Sequence, residues 1–411
     1  MNEKIIMSVE GKGMKENGMY IFSFQEDTPW ENRISFDTEN ERMTPHLIRT
    51  EGKQTYVLTK KHFVTFETDY FFQKREQVFP LQTETLFKEG LLDVDIETGS
   101  RVSGLVDHKL TRWSLAFFDT SVLLGVYHAD SLLKEFDEGI LFYGKRKINK
   151  TLEKEGDFIF KDWNFKRVFG QGCTGSFSFI GDSVFFPQGK QYVKLSLAEI
   201  IKENSKLQKD ILFQMSGEIT AYDHKKGFAL ADNQGNYIVK GERKNPLSSS
   251  GNVKTYIQSG ERFFLPSEAT SVLFQQYKDE SYVIFGVDAG KIIVYALDSI
   301  KSFSTMQYKT TLSLISTTQA KNERKEEKDN HIYNLRMIGD DFVCFSFCDM
   351  FFNIGLEQLI STSSNQYITS EDEKKYANSE EYKKMIKGKY GFSGIKSAPH
   401  RILSWEFVGA S

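Results

Sequence analysis

The sequence predicts an all-β fold built from repeated four-stranded units, and three observations carry that prediction. Short apolar runs alternating with period two far outnumber runs with helical period. Aromatic residues are abundant, with 35 Phe and 18 Tyr in 411 residues, and such side chains favour the pleated surface of a sheet. One hairpin is also plainly written, and its ending recurs along the chain. It comprises Ser281–Phe285 and Lys291–Ala296, joined by a turn in which Asp288 bonds its own backbone and Gly290 accepts positive φ. Leu297-Asp298-Ser299-Ile300 follows, and the second strand is expected to be the outer edge of a repeated sheet.

In chain order, Ile5–Val9 and Met19–Phe24 read as a hairpin split by glycine-containing turns. Strand runs follow at Leu47-Ile48, Tyr56–Leu58, His62–Phe66, Tyr70–Phe72 and Leu91–Ile96. Thr111–Phe118, Val122–Tyr127 and Gly139–Tyr143 come next, then Phe158–Phe160, Phe177–Ile180, Val184–Phe186 and Tyr192–Leu195. Ser196 and Glu199 have the spacing of a capping box, which predicts a short helix to about Gln208. Ile219–Tyr222, Phe228–Ala231 and Tyr237–Val239 precede the opening hairpin. Thr311–Ile315, Leu335–Ile338, Phe342–Phe347, Phe351–Ile354 and finally Arg401–Val408 complete the set. Residues 319–331 form a charged loop insert, and residues 361–391 a polar, partly helical insert expected at the surface.

An internal repeat ties these strands together. Ile180-Gly181-Asp182 recurs as Ile338-Gly339-Asp340, each before an aromatic strand, and Leu197-x-x-Ile200 recurs as Leu297-x-x-Ile300 and Leu356-x-x-Leu359. Closing strands then end near Phe24, Ile96, Tyr143, Leu197, Val239, Leu297 and Leu356. Seven ends predict a single β-propeller domain over residues 1–411, with seven four-stranded blades and the last strand, 401–408, closing the ring onto the N-terminal blade. Gly286-x-Asp288-x-Gly290 followed by Ile292-x-Val294-Tyr295 resembles the blade-ending segment of the WD40-like propeller superfamily. The Gly-His and Trp-Asp signatures are missing, so the resemblance implies architecture and no functional residues. Separate β-sandwiches are the structural rival.

Composition narrows the chemistry. A net charge of −3 from 53 basic and 56 acidic residues lacks the basic excess of nucleic-acid binders. No apolar run reaches the length of a membrane span, and the longest, Phe342 to Leu356, is interrupted by Ser346, Asp349 and Asn353. Three cysteines make no disulfide framework, and with no signal-peptide pattern an intracellular, cytoplasmic protein is expected.

Motif by motif, little chemistry survives. Gly170-Gln171-Gly172-Cys173-Thr174-Gly175 matches a dinucleotide fingerprint, but an alternating strand follows where a helix must stand. Gly286-x3-Gly290-Lys291 is one residue short of a phosphate loop, and Ile292 replaces the Mg²⁺-binding hydroxyl. Cys344 and Cys348 fall on one face of a strand about 13 Å apart, too far to share a zinc ion, and read as buried thiols. The seven histidines form no HxxxH or HxH pair. No cofactor or metal is expected.

Trp113 and Trp163, preceded by Arg112 and Asp162, fall early in what read as adjacent blades. Arg112, Trp113, Asp162 and Trp163 are therefore the candidate binding residues, as a pair lining the channel mouth, although large aromatics more often pack between blades. The function expected on this reading is a non-catalytic protein-interaction scaffold, a subunit of a larger assembly with a protein partner, with no nucleic acid expected and no membrane span. The alternative is a propeller enzyme, a hydrolase or lyase, working at the central channel.

Overall fold

The computed structural model describes residues 4–10, 18–23, 32–37, 42–43, 45–51, 54–59, 63–67, 77–80, 111–118, 121–128, 140–146, 163–169, 177–201, 209–224, 227–243, 253–258, 265, 268–278, 280–287, 290–297, 306–314, 332–362, 379–398 and 401–408. These residues are mostly β-strand, arranged in seven sheets that are antiparallel apart from one parallel pairing. In chain order, sheet 2 begins with Pro45–Glu51, sheet 3 with Thr111–Phe118, sheet 4 with Ser178–Ile180, sheet 5 with Ile219–His224, sheet 6 with Ala269–Tyr277 and sheet 7 with Ile332–Ile338. Sheets 3 to 7 each hold four strands laid side by side in sequence order. Sheet 1 differs, because its edge strand is Arg401–Val408, paired antiparallel with Lys4–Glu10. The pairing of the last strand with the first hairpin thus matches the sequence expectation.

The repeat is real, but its boundaries shift by one strand. Lys291–Leu297 is an interior strand, flanked by Glu280–Val287 and Met306–Ser313. Gln191–Ser196, Tyr237–Arg243 and Met350–Gly355 likewise stand third, with a fourth strand outside each. The physical reason is burial. Third strands are covered on both faces and read as conspicuous apolar runs, whereas the outermost strand of sheet 4, Asp210–Gln214, is exposed at Asp210, Ile211, Leu212 and Gln214.

The recurring motifs have matching geometry. Gly181 and Gly339 both turn the first hairpin of their sheets with left-handed φ, +58° and +56°, which glycine adopts without a side-chain penalty. Leu197 N–H and Leu356 N–H then bond the carbonyls of Asp182 and Asp341 at 3.0 and 2.7 Å, and each starts a short helix, Leu197–Ile201 and Leu356–Ser361. The capping-box helix is present to Ile201, and residues 202–208 lie outside the described residues, as do Gly170–Gly175, Cys173 and the insert 319–331. Cys348 corrects a second expectation. The strand ends at Phe347, so Cys348 sits in the following turn with φ +51° and does not share a strand face with buried Cys344.

The hydrophobic clusters lie between consecutive sheets. Phe285 and Tyr295 of sheet 6 meet Tyr237 and Val239 of sheet 5, while Leu273, Ile284 and Val294 meet Val343, Phe345 and Phe352 of sheet 7. Sheet 7 in turn packs on sheet 1, where Phe351 and Cys344 meet Met7, Ile402 and Trp405. The insert was expected at the surface, yet its helix Ser379–Tyr390 buries Tyr382, Ile386 and Tyr390 in the core with sheet 7. Their spacing of four puts all three on one helix face, an apolar stripe too sparse to stand out in a polar segment. Tyr382 and Tyr390 donate hydroxyl hydrogen bonds to the carbonyls of Leu314 and Ser313, at the end of sheet 6.

Candidate functional site

Three charged residues on first or edge strands of different sheets meet. Arg49 comes from sheet 2, Arg336 from sheet 7 and Glu406 from the edge strand of sheet 1. Arg49 Nη1 donates to Glu406 Oε1 at 2.8 Å, and Arg336 Nη1 donates to the same oxygen at 2.6 Å. Arg49 Nη1 also bonds the Ile48 carbonyl at 2.9 Å. The group is largely sheltered, with side-chain exposures of 16% for Arg49, 30% for Arg336 and 11% for Glu406.

Two backbone irregularities aim these side chains. The ladder of Ile332–Ile338 slips between Tyr333 and Arg336, where Asn334 holds a left-handed φ of +57°. The ladder of Arg401–Val408 slips opposite Ser8 and Val9. A bulge inserts one residue and reverses which face the following side chains take. Ile402 and Trp405 therefore both enter the core despite their odd spacing, and Glu406 reaches the side facing sheet 2. Arg336 Cζ lies 5.3 Å from the Trp405 ring centre, a cation–π contact that fixes the guanidinium from behind. Ser404 Oγ and the Phe407 carbonyl accept from Ile48 N–H and Thr50 Oγ at 3.3 and 2.9 Å, fastening the same strand to sheet 2.

Among the described residues, the charges do not balance. Two guanidinium groups share one carboxylate, and burial, followed by repulsion from Arg336, pulls Arg49 down to about 10, against the opposing pull of Glu406. It remains a cation at neutral pH. Tyr222, on the first strand of sheet 5, is close enough to act electrostatically on Arg49. Sheets 2 and 5 are not consecutive, so first strands from different parts of the chain converge here. Glu406 Oε2 and the Nε and Nη2 atoms of both arginines make no hydrogen bond among the described residues.

A second polar pair lies between sheets 4 and 5. The Tyr192 hydroxyl and His224 Nδ1 are 2.6 Å apart, with Phe185 and Phe228 against the imidazole at 4.8 and 5.5 Å between ring centres. His224 follows Tyr222 by two residues, so both leave the same face of their strand. Among the described residues, no group of three His, Cys, Asp or Glu has metal-binding geometry.

The residues singled out by sequence are placed differently. Arg112 and Trp113 lie on the first strand of sheet 3, and Trp163 begins the fourth strand, Trp163–Phe169, of that same sheet. Trp113 pairs with Val126 near one end and Trp163 with Arg146 near the other. Three strand spacings of about 4.8 Å put them roughly 14 Å apart across the sheet, with a further separation along it. The expectation of adjacent blades is thereby corrected, because Trp163 opens an outer strand rather than a new blade. Asp162 lies outside the described residues. Sequence reasoning missed Arg49, Arg336 and Glu406. Their signal was a charged residue inside Leu47-Ile48-Arg49, Leu335-Arg336-Met337 and Trp405-Glu406-Phe407.

No protein-family model and no curated protein sequence matches the chain. Solved structures do match it. A Bacteroides fragilis protein named a 6-phosphogluconolactonase is 10% identical, with a TM-score of 0.51 over 99% of this chain and 98% of its own. The Pseudomonas aeruginosa periplasmic gluconolactonase PpgL is also 10% identical, with a TM-score of 0.52 over 100% of this chain and 99% of its own. At this identity the likeness establishes a propeller-like fold, and no WD40 family match accompanies it. It also corrects the expectation of a non-catalytic scaffold, and with it the expectation that the chain is not an enzyme. Proteins sharing this fold end to end carry the names of lactonases, so a sparse motif record on this architecture does not imply a scaffold. No helix among the described residues is long and apolar enough to cross a membrane.

Proposed function

We propose that the protein is a propeller hydrolase that opens a cyclic ester, with Glu406, Arg49 and Arg336 at its site. The observation that carries the reading is the shared carboxylate, with Oε1 gripped by two guanidinium groups and Oε2 without a hydrogen bond among the described residues. The lactonase names of the two structural neighbours support the substrate class. The finer architecture belongs to the same proposal. Seven sheets become seven blades, the strand 401–408 becomes the first strand of the first blade, and the converging first strands line a central channel.

Hydrolysis needs a base for water, a donor for the developing oxyanion and a proton for the leaving oxygen. Glu406 Oε2 takes a proton from water as the water oxygen bonds to the ester carbonyl carbon. The N–H groups of Arg49 and Arg336 bond the resulting oxyanion. When the ring C–O bond breaks, the alkoxide recovers the proton from Glu406, leaving a hydroxy acid.

The test is proton release from a panel of five- and six-membered lactones, aldonolactones included, followed in weak buffer. Hydrolysis above the uncatalysed rate that falls at least 100-fold in Glu406→Gln is expected, the loss typical of removing a positioned base. A folded wild-type protein inert across the panel, or a Glu406→Gln variant with full activity, would refute the assignment.

A further inference from the structure

We infer that the Arg49–Glu406–Arg336 node is an oxyanion site whose occupancy locks the strand Arg401–Val408 in place, an inference resting on the site proposed above. The two cations stand on either side of that strand, one from sheet 2 and one from sheet 7, and Glu406 is their shared counter-ion. Among the described residues, one carboxylate leaves one positive charge unmatched in a sheltered position. Repulsion between the two guanidinium groups is the second cause, after burial, of the fall in Arg49 proton affinity. Their Nε and Nη2 groups make no hydrogen bond among the described residues, and such forked donors bind phosphate and carboxylate oxygens best.

An oxyanion bound there bridges the two arginines, cancels the excess charge and clamps the strand between its neighbours. The strand is the element that needs a clamp. It lies at the edge of sheet 1, about 400 residues in sequence from the strand it pairs with, Lys4–Glu10. Its anchors to sheet 2 are the Glu406 pair and the Ser404 and Phe407 bonds. Removing the strand removes Glu406, so the site exists only while the strand is docked. A ligand that binds only the docked state raises the ratio of docked to open chains by one plus its concentration over Kd. The product of ester opening is itself a carboxylate and would act on the same clamp.

Hydrogen exchange of residues 401–408 in the full chain tests this, with inorganic phosphate and acetate as separate arms and sodium chloride at matched ionic strength as control. At ten times its Kd, phosphate or acetate should slow exchange of this strand roughly tenfold, while the interior strand Phe228–Asp232 is unchanged. The arm that acts identifies the oxyanion. Arg336→Gln should abolish the response and Arg336→Lys should keep part of it. No slowing in wild type, equal slowing in chloride, or slowing that persists in Arg336→Gln overturns the inference. The wild-type titration decides alone if Arg336→Gln does not fold. Slowing without lactone hydrolysis would sink the hydrolase reading only, and hydrolysis without slowing would sink the clamp only.

Discussion

Gly286 offers a sharp test of how sheets 6 and 7 meet. It lies mid-strand in Glu280–Val287, where an added Cβ would fall 2.5 Å from Ser271 Oγ, 2.7 Å from Ile332 Cγ2 and 2.8 Å from Ile332 Cβ. Ile332 is fully buried at the start of sheet 7, and Ser271 Oγ donates to its carbonyl at 2.9 Å. A β-branched side chain has little rotamer freedom to yield, so the two sheets must separate slightly. Overpacking of this kind costs about 1–3 kcal/mol, set against about 0.5–1 kcal/mol that alanine gains over glycine in a strand. Gly286→Ala should therefore lose ~1–2 kcal/mol, read as a lower urea midpoint with an unchanged slope. Ile332→Ala should cost about 2–5 kcal/mol alone by leaving a cavity. The double variant should cost at least ~1 kcal/mol less than the sum, because the cavity receives the new methyl. A neutral or stabilising Gly286→Ala, or strict additivity with Ile332→Ala, would refute this account of the interface.

The other expectations concern the site and its supports. Glu406→Ala leaves two sheltered guanidinium groups facing each other and should cost about 3–5 kcal/mol in denaturant unfolding, as breaking a buried pair does; a loss below 1 kcal/mol would show the node to be solvated. Deleting residues 401–411 strips Lys4–Glu10 of a partner and uncovers Met7, Cys344 and Phe351, so the melting curve should collapse or move down by many degrees, and an unchanged curve would contradict the pairing. Tyr390→Phe should cost roughly 1–2 kcal/mol by leaving the buried Ser313 carbonyl short of a donor, and early proteolysis within 379–390 should accompany it. At alkaline pH the signs oppose. Burial raises Tyr237, Tyr282 (to about 12) and Tyr295, whose folded forms hold protons that the unfolded chain releases near pH 10, so their contribution is lost as pH rises above 10. Arg49, lowered to about 10, works the other way, since the unfolded chain binds the proton more tightly and stability gains with pH through that window. Three tyrosines outweigh one arginine, so the urea midpoint should fall between about pH 10 and 12, more steeply in Arg49→Gln; a rising midpoint would contradict the balance.

Much of the fold was legible because its signals are local. Alternation marked the strands, and the repeated Ile-Gly-Asp stands before an aromatic strand in both places, where Gly181 and Gly339 turn the hairpins. The strand boundaries of each repeat were not legible in the same way. Lys291–Leu297 looked like an edge because it was the most apolar run before a polar stretch, yet Met306–Ser313, mixed in polarity, lies outside it. The node of Arg49, Arg336 and Glu406 was harder still. Its members are 287 and 357 residues from Arg49, and a strand bulge decides which way two of them point, so spacing along the chain carries no trace of their meeting. The tryptophans misled for the converse reason. Large aromatics are conspicuous in sequence wherever they lie, and Trp405, the one beside the node, was conspicuous only as part of a last strand.

The pairing of Lys4–Glu10 with Arg401–Val408 has a consequence for how the protein is made. On the ribosome, the first strand emerges long before its partner. At about 5–20 residues per second, some 400 residues take roughly 20–80 s to follow. Through that interval Ile5, Met7 and Val9, all destined for full burial, have no last strand to cover them and one unpaired row of backbone groups beside them. Such an edge is a template for pairing with another nascent chain. Aggregation during synthesis should therefore depend on translation speed and on chaperone supply more than on the stability of the finished fold. A circular permutant that joins 401–408 directly ahead of residue 4 should lose that dependence, since the two strands would then leave the ribosome together as a hairpin.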